Sequence, residues 1–360
     1  MNVVLLNDTY HWYHWGCTAT SRAISRHVQA AGHHCEYVSI MTINRMQNPL
    51  ETLDDFDDPA HLEKAIINNP ELFSKIDAAD LVLINGEGTL HHLSEPVVNL
   101  LYLAYVSKTA LSKQVQIINH SPYPEAYDDP ALLSFVQAMY LKTYSWMDYI
   151  AIREHRAQHA MNQLGISSAL AFDCLPLTIR EEFPELANTD KQDTILFTNA
   201  VNMPDKQQKA MLKIMKQLVK TGFTVRVLYG AKDNGAVDEE RYIERLQASR
   251  LAGVEFCHAT TLEQWLSEIA SARLLVSGRF HHSIAAAFLK TPFVLLASNT
   301  QKNRALAESL SLPAPISYDM NNFSERVTKR IRQSVETVQQ VPDDILDALH
   351  QRALLNFSQL

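Results

Sequence analysis

Several things are scarce in this 360-residue chain, and each scarcity closes off a class of function. There are four cysteines, Cys17, Cys35, Cys174 and Cys257, and no two form a CxxC pair. That argues against a disulfide framework or a cysteine zinc site and fits reduced, structural thiols. Positive charge is in deficit: 32 Lys and Arg stand against 40 Asp and Glu, a formal net charge of −8. A general nucleic-acid binder needs a basic footprint, so nucleic acid is not an expected partner. No apolar run approaches the roughly 18–20 residues of a membrane span. The opening stretch Met1-Asn-Val-Val-Leu-Leu-Asn7 has no basic flank and too short an apolar run for a signal peptide. The expectation is a cytoplasmic protein, touching the inner face of the membrane at most peripherally. Also missing are a Walker A loop, a full GxGxxG, an HExxH and a GxSxG elbow.

What is present is ordinary in bulk. The apolar fraction is 46%, as in a globular protein, and the length favours two domains. Fifteen histidines decide nothing alone, because histidine serves as ligand, proton carrier or polar filler. The pattern along the chain is more informative. Val3 to Leu6 reads as a strand, Thr18 to about Gly32 as a helix, and Glu36 to Met41 as the next strand. Further strands are expected at 80–85, 115–119, 149–152 and 169–173. Helices are expected at 96–113, 131–147 and, after Arg153-Glu154 at the strand's carboxyl end, up to Leu164. From Asp193 the alternation restarts, with strands at 194–197, 224–229, 254–257, 274–276 and 293–297. Helices fall between them at 204–221, 238–251 and 262–272. This predicts an α/β protein of two Rossmann-like domains facing a cleft. The expected boundaries are 1–187 and 188–325, with C-terminal helices over 326–360 that cross back to the first domain.

The richest stretch is Arg273-Leu-Leu-Val-Ser-Gly-Arg-Phe-His-His-Ser-Ile-Ala-Ala-Ala-Phe-Leu289. An apolar strand is punctuated by Ser277 and Gly278 and followed by an alanine-rich helix. Strand, turn and helix is where doubly wound proteins hold ligands. A helix start attracts anions, and Arg279 adds a planar fork suited to phosphate or carboxylate. His281 and His282 in the same turn are candidate proton carriers. The plainer alternative is a surface arginine with two helix-start histidines.

Other segments leave two readings open. Asp8 to Gly16 is rich in aromatics, and His14 with its neighbours could stack on a sugar or plug the space between domains. Gly86-Glu87-Gly88-Thr89 either admits a ligand to the backbone or is a tight turn. It is no dinucleotide fingerprint, since Leu90-His91-His92 follows and the third glycine is missing. Asp55-Phe-Asp57 has the look of a metal-holding Asp-x-Asp, but no strand precedes it and a solvated acidic loop is favoured. His155 and His159 share a helix face without a third ligand nearby, which favours a solvent face. Arg326, Lys329, Arg330 and Arg332 form a basic strip that reads as a solvated face before it reads as a lipid contact.

Three of these segments, in order, resemble the polysaccharide pyruvyl transferase family. They are Leu83-Ile-Asn-Gly-Glu-Gly-Thr-Leu90, then Tyr149-Ile-Ala-Ile-Arg153-Glu154 with Leu164-Gly165-Ile166 and Phe172-Asp173, and then Gly278-Arg279-Phe280-His281. The loop His14-Trp15-Gly16-Cys17 departs from the small Asn-x-Gly type sequence of that family. The resemblance implies transfer of the pyruvyl group of phosphoenolpyruvate to two hydroxyls of one sugar, with release of phosphate. The acceptor would be a surface polysaccharide or its lipid-linked precursor, and the fold glycosyltransferase-B-like.

The residues take expected roles on that reading. His281 protonates the methylene carbon. Arg279 and Arg153 hold phosphate and carboxylate. Gly278, His282, Asn299 and Lys302 complete a donor site. His14, Gly16, Gly86, Glu87, Thr89 and Asp173 face the acceptor, with Asp173 or Glu87 as base. No step calls for a metal or a cofactor beyond phosphoenolpyruvate as co-substrate. Two other classes stay open: a glycosyltransferase using a sugar nucleotide, and a non-catalytic anion- or saccharide-binding module. The oligomeric state is open as well.

Overall fold

Alternating apolar runs and amphipathic segments fold into two parallel sheets in the computed structural model, which describes residues 1–47, 50–91, 93–200, 203–229, 237–249, 252–337 and 340–360. The first half runs β1 (Asn2–Asp8), α1 (Trp15–Ala30), β2 (His34–Ser39), α2 (Ile40–Asn44), α3 (Pro59–Asn68), α4 (Pro70–Ala78), β3 (Leu81–Asn85), α5 (Glu95–Thr109), β4 (Gln114–His120), α6 (Pro130–Tyr144), β5 (Tyr149–Ile152), α7 (His155–Gln163) and β6 (Ala169–Leu170). The second half runs α8 (Leu175–Glu182), β7 (Gln192–Phe197), α9 (Asp205–Lys220), β8 (Thr224–Leu228), α10 (Val237–Ala248), β9 (Val254–Cys257), α11 (Leu262–Ser271), β10 (Ala272–Ser277), α12 (Phe280–Phe288), β11 (Phe293–Leu295), α13 (Lys302–Ser309), α14 (Phe323–Glu336) and α15 (Asp343–Leu354). Of the expected residues, His92 and Leu251 lie outside the described residues.

The sheets have the order β2-β1-β3-β4-β5-β6 and β11-β10-β7-β8-β9, and every strand pair is parallel. Parallel strands are covered on both faces, so they read as continuous apolar runs. Leu81–Asn85 is buried at every position, and so is Leu274–Ser277 of β10. In the first sheet the order reverses between β1 and β3, and in the second between β7 and β10. In open α/β sheets those reversals leave a crevice at the strand carboxyl ends.

Contacts divide the chain into two units. Unit 1 is Met1–Trp12, Thr20–Cys174 and Gln351–Leu360; unit 2 is Tyr13–Ala19 and Leu175–His350. The division therefore falls at 174/175, earlier than the 187/188 read from sequence. The reason is α8, whose buried Leu175, Leu177 and Ile179 go with helix α12 of unit 2. Helix α14 also stays in unit 2, packing on α9, β10 and β11 through Phe323, Val327 and Ile331. Of the expected C-terminal segment 326–360, the part in unit 1 is Gln351–Leu360. Among the described residues no helix is long and apolar enough to cross a membrane.

Local chemistry sets the helix ends. Gly32 and Gly165 take φ of 78° after α1 and α7, the left-handed conformation that closes a helix. Helix α1 starts at Trp15, earlier than the expected Thr18, so Trp15, Gly16 and Cys17 are helical. The acidic stretch around Asp55 and Asp57 precedes helices α3 and α4. There Asp55 accepts the N–H groups of Glu51 and Thr52, and Asp57 pairs with Lys142 and Tyr105. Those carboxylates are used by turns and ion pairs. In unit 1 the C-terminal segment is fastened by Asn356. Its Oδ1 accepts the N–H of Asn119 at 2.9 Å, and its amide donates to Phe172 O and Ala353 O at 2.8 Å. Asn356 is fully buried. Replacing it with Ala strands the Asn119 N–H and the Phe172 carbonyl, an expected loss of about 2–5 kcal/mol. Urea unfolding of Asn356→Ala measures this, and an unchanged midpoint would remove Asn356 as the fastener.

Candidate functional site

In unit 2 the site is built at the carboxyl ends of β7 and β10. Strand β10 ends at Ser277, and the turn Gly278-Arg279 leads straight into α12. Ser277 Oγ accepts the Arg279 N–H at 3.0 Å and the Thr198 hydroxyl at 2.8 Å, which joins the two strand ends. A side chain at Gly278 would overlap Ala200 and come within 2.8 Å of the Tyr318 hydroxyl, so only glycine fits. Asn303 of α13 fastens the turn from outside, donating to Gly278 O at 3.0 Å and Leu296 O at 2.9 Å.

Arg279 stands at the N-cap position, and its side chain does not cap the helix. An α-helix gives its first N–H groups no intrahelical acceptor. Sequence reading put Arg279 to His282 in a turn with the helix starting at His282. The helix starts at Phe280, which carries His281 and His282 into its first turn. All nine residues of α12 are buried, because its alanine-rich surface lets α8, α11 and α13 approach.

Three imidazoles meet here. His14 lies 6.5 Å from His281 and 5.6 Å from His282 between ring centroids. His14 and Gly16 were expected on the acceptor side, with the first domain. The structure groups them with unit 2. The physical reason is Gly16: a methyl group there would sit inside the His281 side chain, 2.6 Å from Nδ1. The bare backbone of α1 thus forms a seat for the His281 ring. Trp15 beside it donates its indole N–H to Ala259 O at 3.1 Å. Lys302 opens α13 with its Nζ 5.9 Å from the centre of the Phe280 ring. Asn299 is partly buried in the connection leading to Lys302, and its Oδ1 makes no hydrogen bond.

Burial, and then the charges of Arg279, His282, His281 and Lys302, holds His14 well below the ordinary imidazole value. Burial, then Arg279 and His281, does the same to His282. Both rings are therefore neutral at neutral pH. The arrangement suits an anion: a guanidinium and a helix N-terminus on one turn, with the Lys302 ammonium beside the Phe280 ring.

Unit 1 gathers the remaining expected residues at its own switch point. Asn7, at φ 61°, donates to Asn85 O and Glu87 O at 2.6 and 3.0 Å, while its Oδ1 accepts the Thr89 hydroxyl at 2.9 Å. This holds the Gly86–Thr89 turn. At Gly86 a side chain would come within 2.9 Å of His120 Cγ. Arg153 donates to Asp173 at 2.8 Å and to the Ser121 hydroxyl at 2.9 Å, and both ions are buried. Arg153 is thus neutralised within its own unit. Asp173 is already engaged as an acceptor by Arg153.

Sequence reasoning missed Asn303, Trp265, His120 and the asparagines Asn7, Asn85 and Asn119. The last three were visible as a pattern, since each falls in the last two residues of a strand or ends it. Asn119 joins Asn85 to Cys174 through its side chain. His120 likewise ends a strand. Its Nδ1–H donates to Ala151 O at 3.0 Å and its Nε2 accepts the Tyr144 hydroxyl at 2.9 Å.

Comparison with known proteins bears on the family and the fold. The family profile described as polysaccharide pyruvyl transferase matches residues 16–300. A search of curated proteins found no match. Among solved structures, a UDP-GlcNAc 2-epimerase from Neisseria meningitidis bound to UDP-GlcNAc is similar at TM-score 0.59 and 11% identity, over 97% of this chain and 94% of that one. The UDP-GlcNAc 2-epimerase of Methanocaldococcus jannaschii gives TM-score 0.57 and 11% identity, over 99% and 100%. Alr3699/HepE of Anabaena, in complex with UDP and glucose, gives 0.56 and 12%, over 99% and 95%. At such identities the likeness establishes the fold, which is glycosyltransferase-B-like with two Rossmann-like units.

Two outcomes follow from these contacts. Gly16→Ala should displace the His281 ring and lower turnover roughly 100-fold while the circular-dichroism spectrum is kept. Wild-type turnover in that variant would mean the seat does not matter. The second concerns pH. Burial, then Arg153, pulls His120 down to about 3, from about 6.5 in the unfolded chain. The unfolded state therefore binds the extra proton. Stability is complete above about pH 6.5 and declines towards pH 3, by about 1.4 kcal/mol per pH unit for this group. His120→Asn should flatten that slope in urea titrations between pH 6 and 4. An identical slope would show that His120 is not the group responsible.

Proposed function

Since this chain belongs to the polysaccharide pyruvyl transferase family, we propose that it moves the pyruvyl group of phosphoenolpyruvate onto two hydroxyls of one sugar as a ketal, releasing phosphate. The observation that carries the reading is the turn at the β7/β10 switch point. It sets Arg279 at the head of a buried, uncapped helix with His281 and His282 in the first turn. Phosphoenolpyruvate carries a phosphate and a carboxylate. The N–H groups of α12 and the Arg279 fork suit the phosphate, and Lys302 offers a second cation for the carboxylate. Arg153, neutralised by Asp173, takes a positioning role in unit 1 instead of the grip on the donor expected from sequence.

The steps balance as follows. His281 gives a proton to the methylene carbon, a C–H bond forms, and C2 becomes electron-poor. A sugar hydroxyl attacks C2 and its proton passes to a base. The C2–O bond to phosphate breaks, and the guanidinium and helix dipole stabilise the departing charge. The second hydroxyl closes the ketal on C2. Of the two hydroxyl protons, one replaces that lost by His281 and the other leaves with phosphate. A positioned acid is worth about 10²–10⁴-fold in such a step. The depressed basicity of His14 and His282 leaves the proton-carrying role to His281.

A glycosyltransferase reading draws on the fold alone, since the similar solved structures include proteins bound to UDP or UDP-sugars. Phosphate release from phosphoenolpyruvate across a panel of saccharides separates the two. The expected result is saccharide-dependent phosphate and a ketal in the product's mass. Stabilisation and consumption of a UDP-sugar, with no phosphate from phosphoenolpyruvate, would favour the other reading. Within the active protein, Arg279→Ala should lower kcat/KM by about 100-fold or more, and Arg279→Lys by at least about tenfold, because the planar fork is lost.

A further inference from the structure

Helix α11 places Trp265, fully buried, against the first turn of α12. Its indole N–H lies 3.0 Å from His282 Nε2, and the two rings meet edge to face with centroids 5.0 Å apart. An indole N–H can only donate. The lone pair of His282 Nε2 must therefore face it, and a neutral imidazole with a bare Nε2 carries its proton on Nδ1. That Nδ1 is buried and has no hydrogen-bond partner. A buried N–H without a partner is costly and rare in folded proteins, so its retention at an anion-binding turn asks for a reason.

We propose that Trp265 is a positioning residue, fixing His282 as a neutral imidazole whose Nδ1–H donates a hydrogen bond to an oxygen of the anionic donor substrate. This rests on the pyruvyl-transfer reading for the identity of the anion and not for the geometry. The surroundings fit. Among the described residues, the charges acting on His282 are those of Arg279 and His281, and the ring of His14, just before α1, packs on it. A protonated His282 could not accept from Trp265, so the hydrogen bond itself opposes a second positive charge beside Arg279. The ring lying across His282 is His14, edge to face at 5.6 Å. His14 Nδ1 also makes no hydrogen bond, so rotation of that ring to admit a substrate oxygen breaks none at Nδ1. His281 would then carry the transferable proton while His282 binds, a division of labour between adjacent histidines that their spacing alone does not suggest.

Three measurements on the full chain test this. Long-range proton–nitrogen correlation spectra at pH 7 should show His282 protonated at Nδ1; the Nε2–H pattern, or an imidazolium, would overturn the proposal. Calorimetric titration with phosphoenolpyruvate, without acceptor, then compares two replacements. The amide of Asn reaches about where Nδ1 stands, and that of Gln reaches Nε2. Both should lose affinity, with His282→Gln weaker than His282→Asn by about tenfold. Equal losses would reduce His282 to a packing role. Trp265→Phe frees the tautomer. If the competent form falls to about one fifth, Kd for phosphoenolpyruvate rises about fivefold while kcat changes less. Should Trp265→Phe not fold, the first two measurements decide. If wild type binds phosphoenolpyruvate but releases no phosphate with any saccharide, the proposed function fails and this comparison still stands. If phosphoenolpyruvate does not bind, inorganic phosphate is titrated in its place with the same order expected. Binding of neither anion overturns the inference.

Discussion

Burying a guanidinium and three imidazoles at the head of one helix is the constraint on which unit 2 depends. Polar groups shut away from water must be neutralised or hydrogen-bonded, or they cost several kcal/mol each. The chain meets this by lowering the basicity of His14 and His282 and by giving His282 an indole donor. It also needs close approach. Gly278 and Gly16 each occupy a place where a methyl group would collide with a neighbour. Alanines along α12 then let the surrounding helices close over the site.

Unit 1 solves a related problem with neutral groups. Asn7, Asn85, Asn119 and Asn356 link strand ends and the C-terminal segment through amide hydrogen bonds. Two of them, Asn7 and Asn119, take positive φ, a conformation that asparagine tolerates better than most residues. Among the described residues Arg153 and Asp173 form a buried ion pair within unit 1. Breaking such a pair costs about 3–5 kcal/mol, which makes it a brace before anything else. The two switch points thus differ in character: one is a neutral amide lattice, the other a cationic turn.

How much was legible in the sequence follows from where each signal originates. Parallel strands buried on both faces announce themselves as apolar runs, and the expected strands at 80–85 and 274–276 overlap β3 and β10. The glycine-arginine turn and its alanine-rich helix were legible because a strand, a breaker and a helix former follow one another along the chain. Helix starts were less so. The start of α1 at Trp15 was missed because Trp and Gly are poor helix markers, and packing of Gly16 on His281 overrides propensity there.

By itself the sequence determined the class of fold, the order of its elements, and the turn that concentrates positive charge. Each of these depends on residues close together in the chain. Only the tertiary structure decided which residues share a site. It moved His14 and Gly16 beside His281, neutralised Arg153 with Asp173, and set Trp265 on His282. Those pairings join residues 267, 265, 20 and 17 positions apart, and they follow from side-chain volume and the need to satisfy buried polar atoms. No periodicity along a chain encodes such demands, because they arise only when the elements pack.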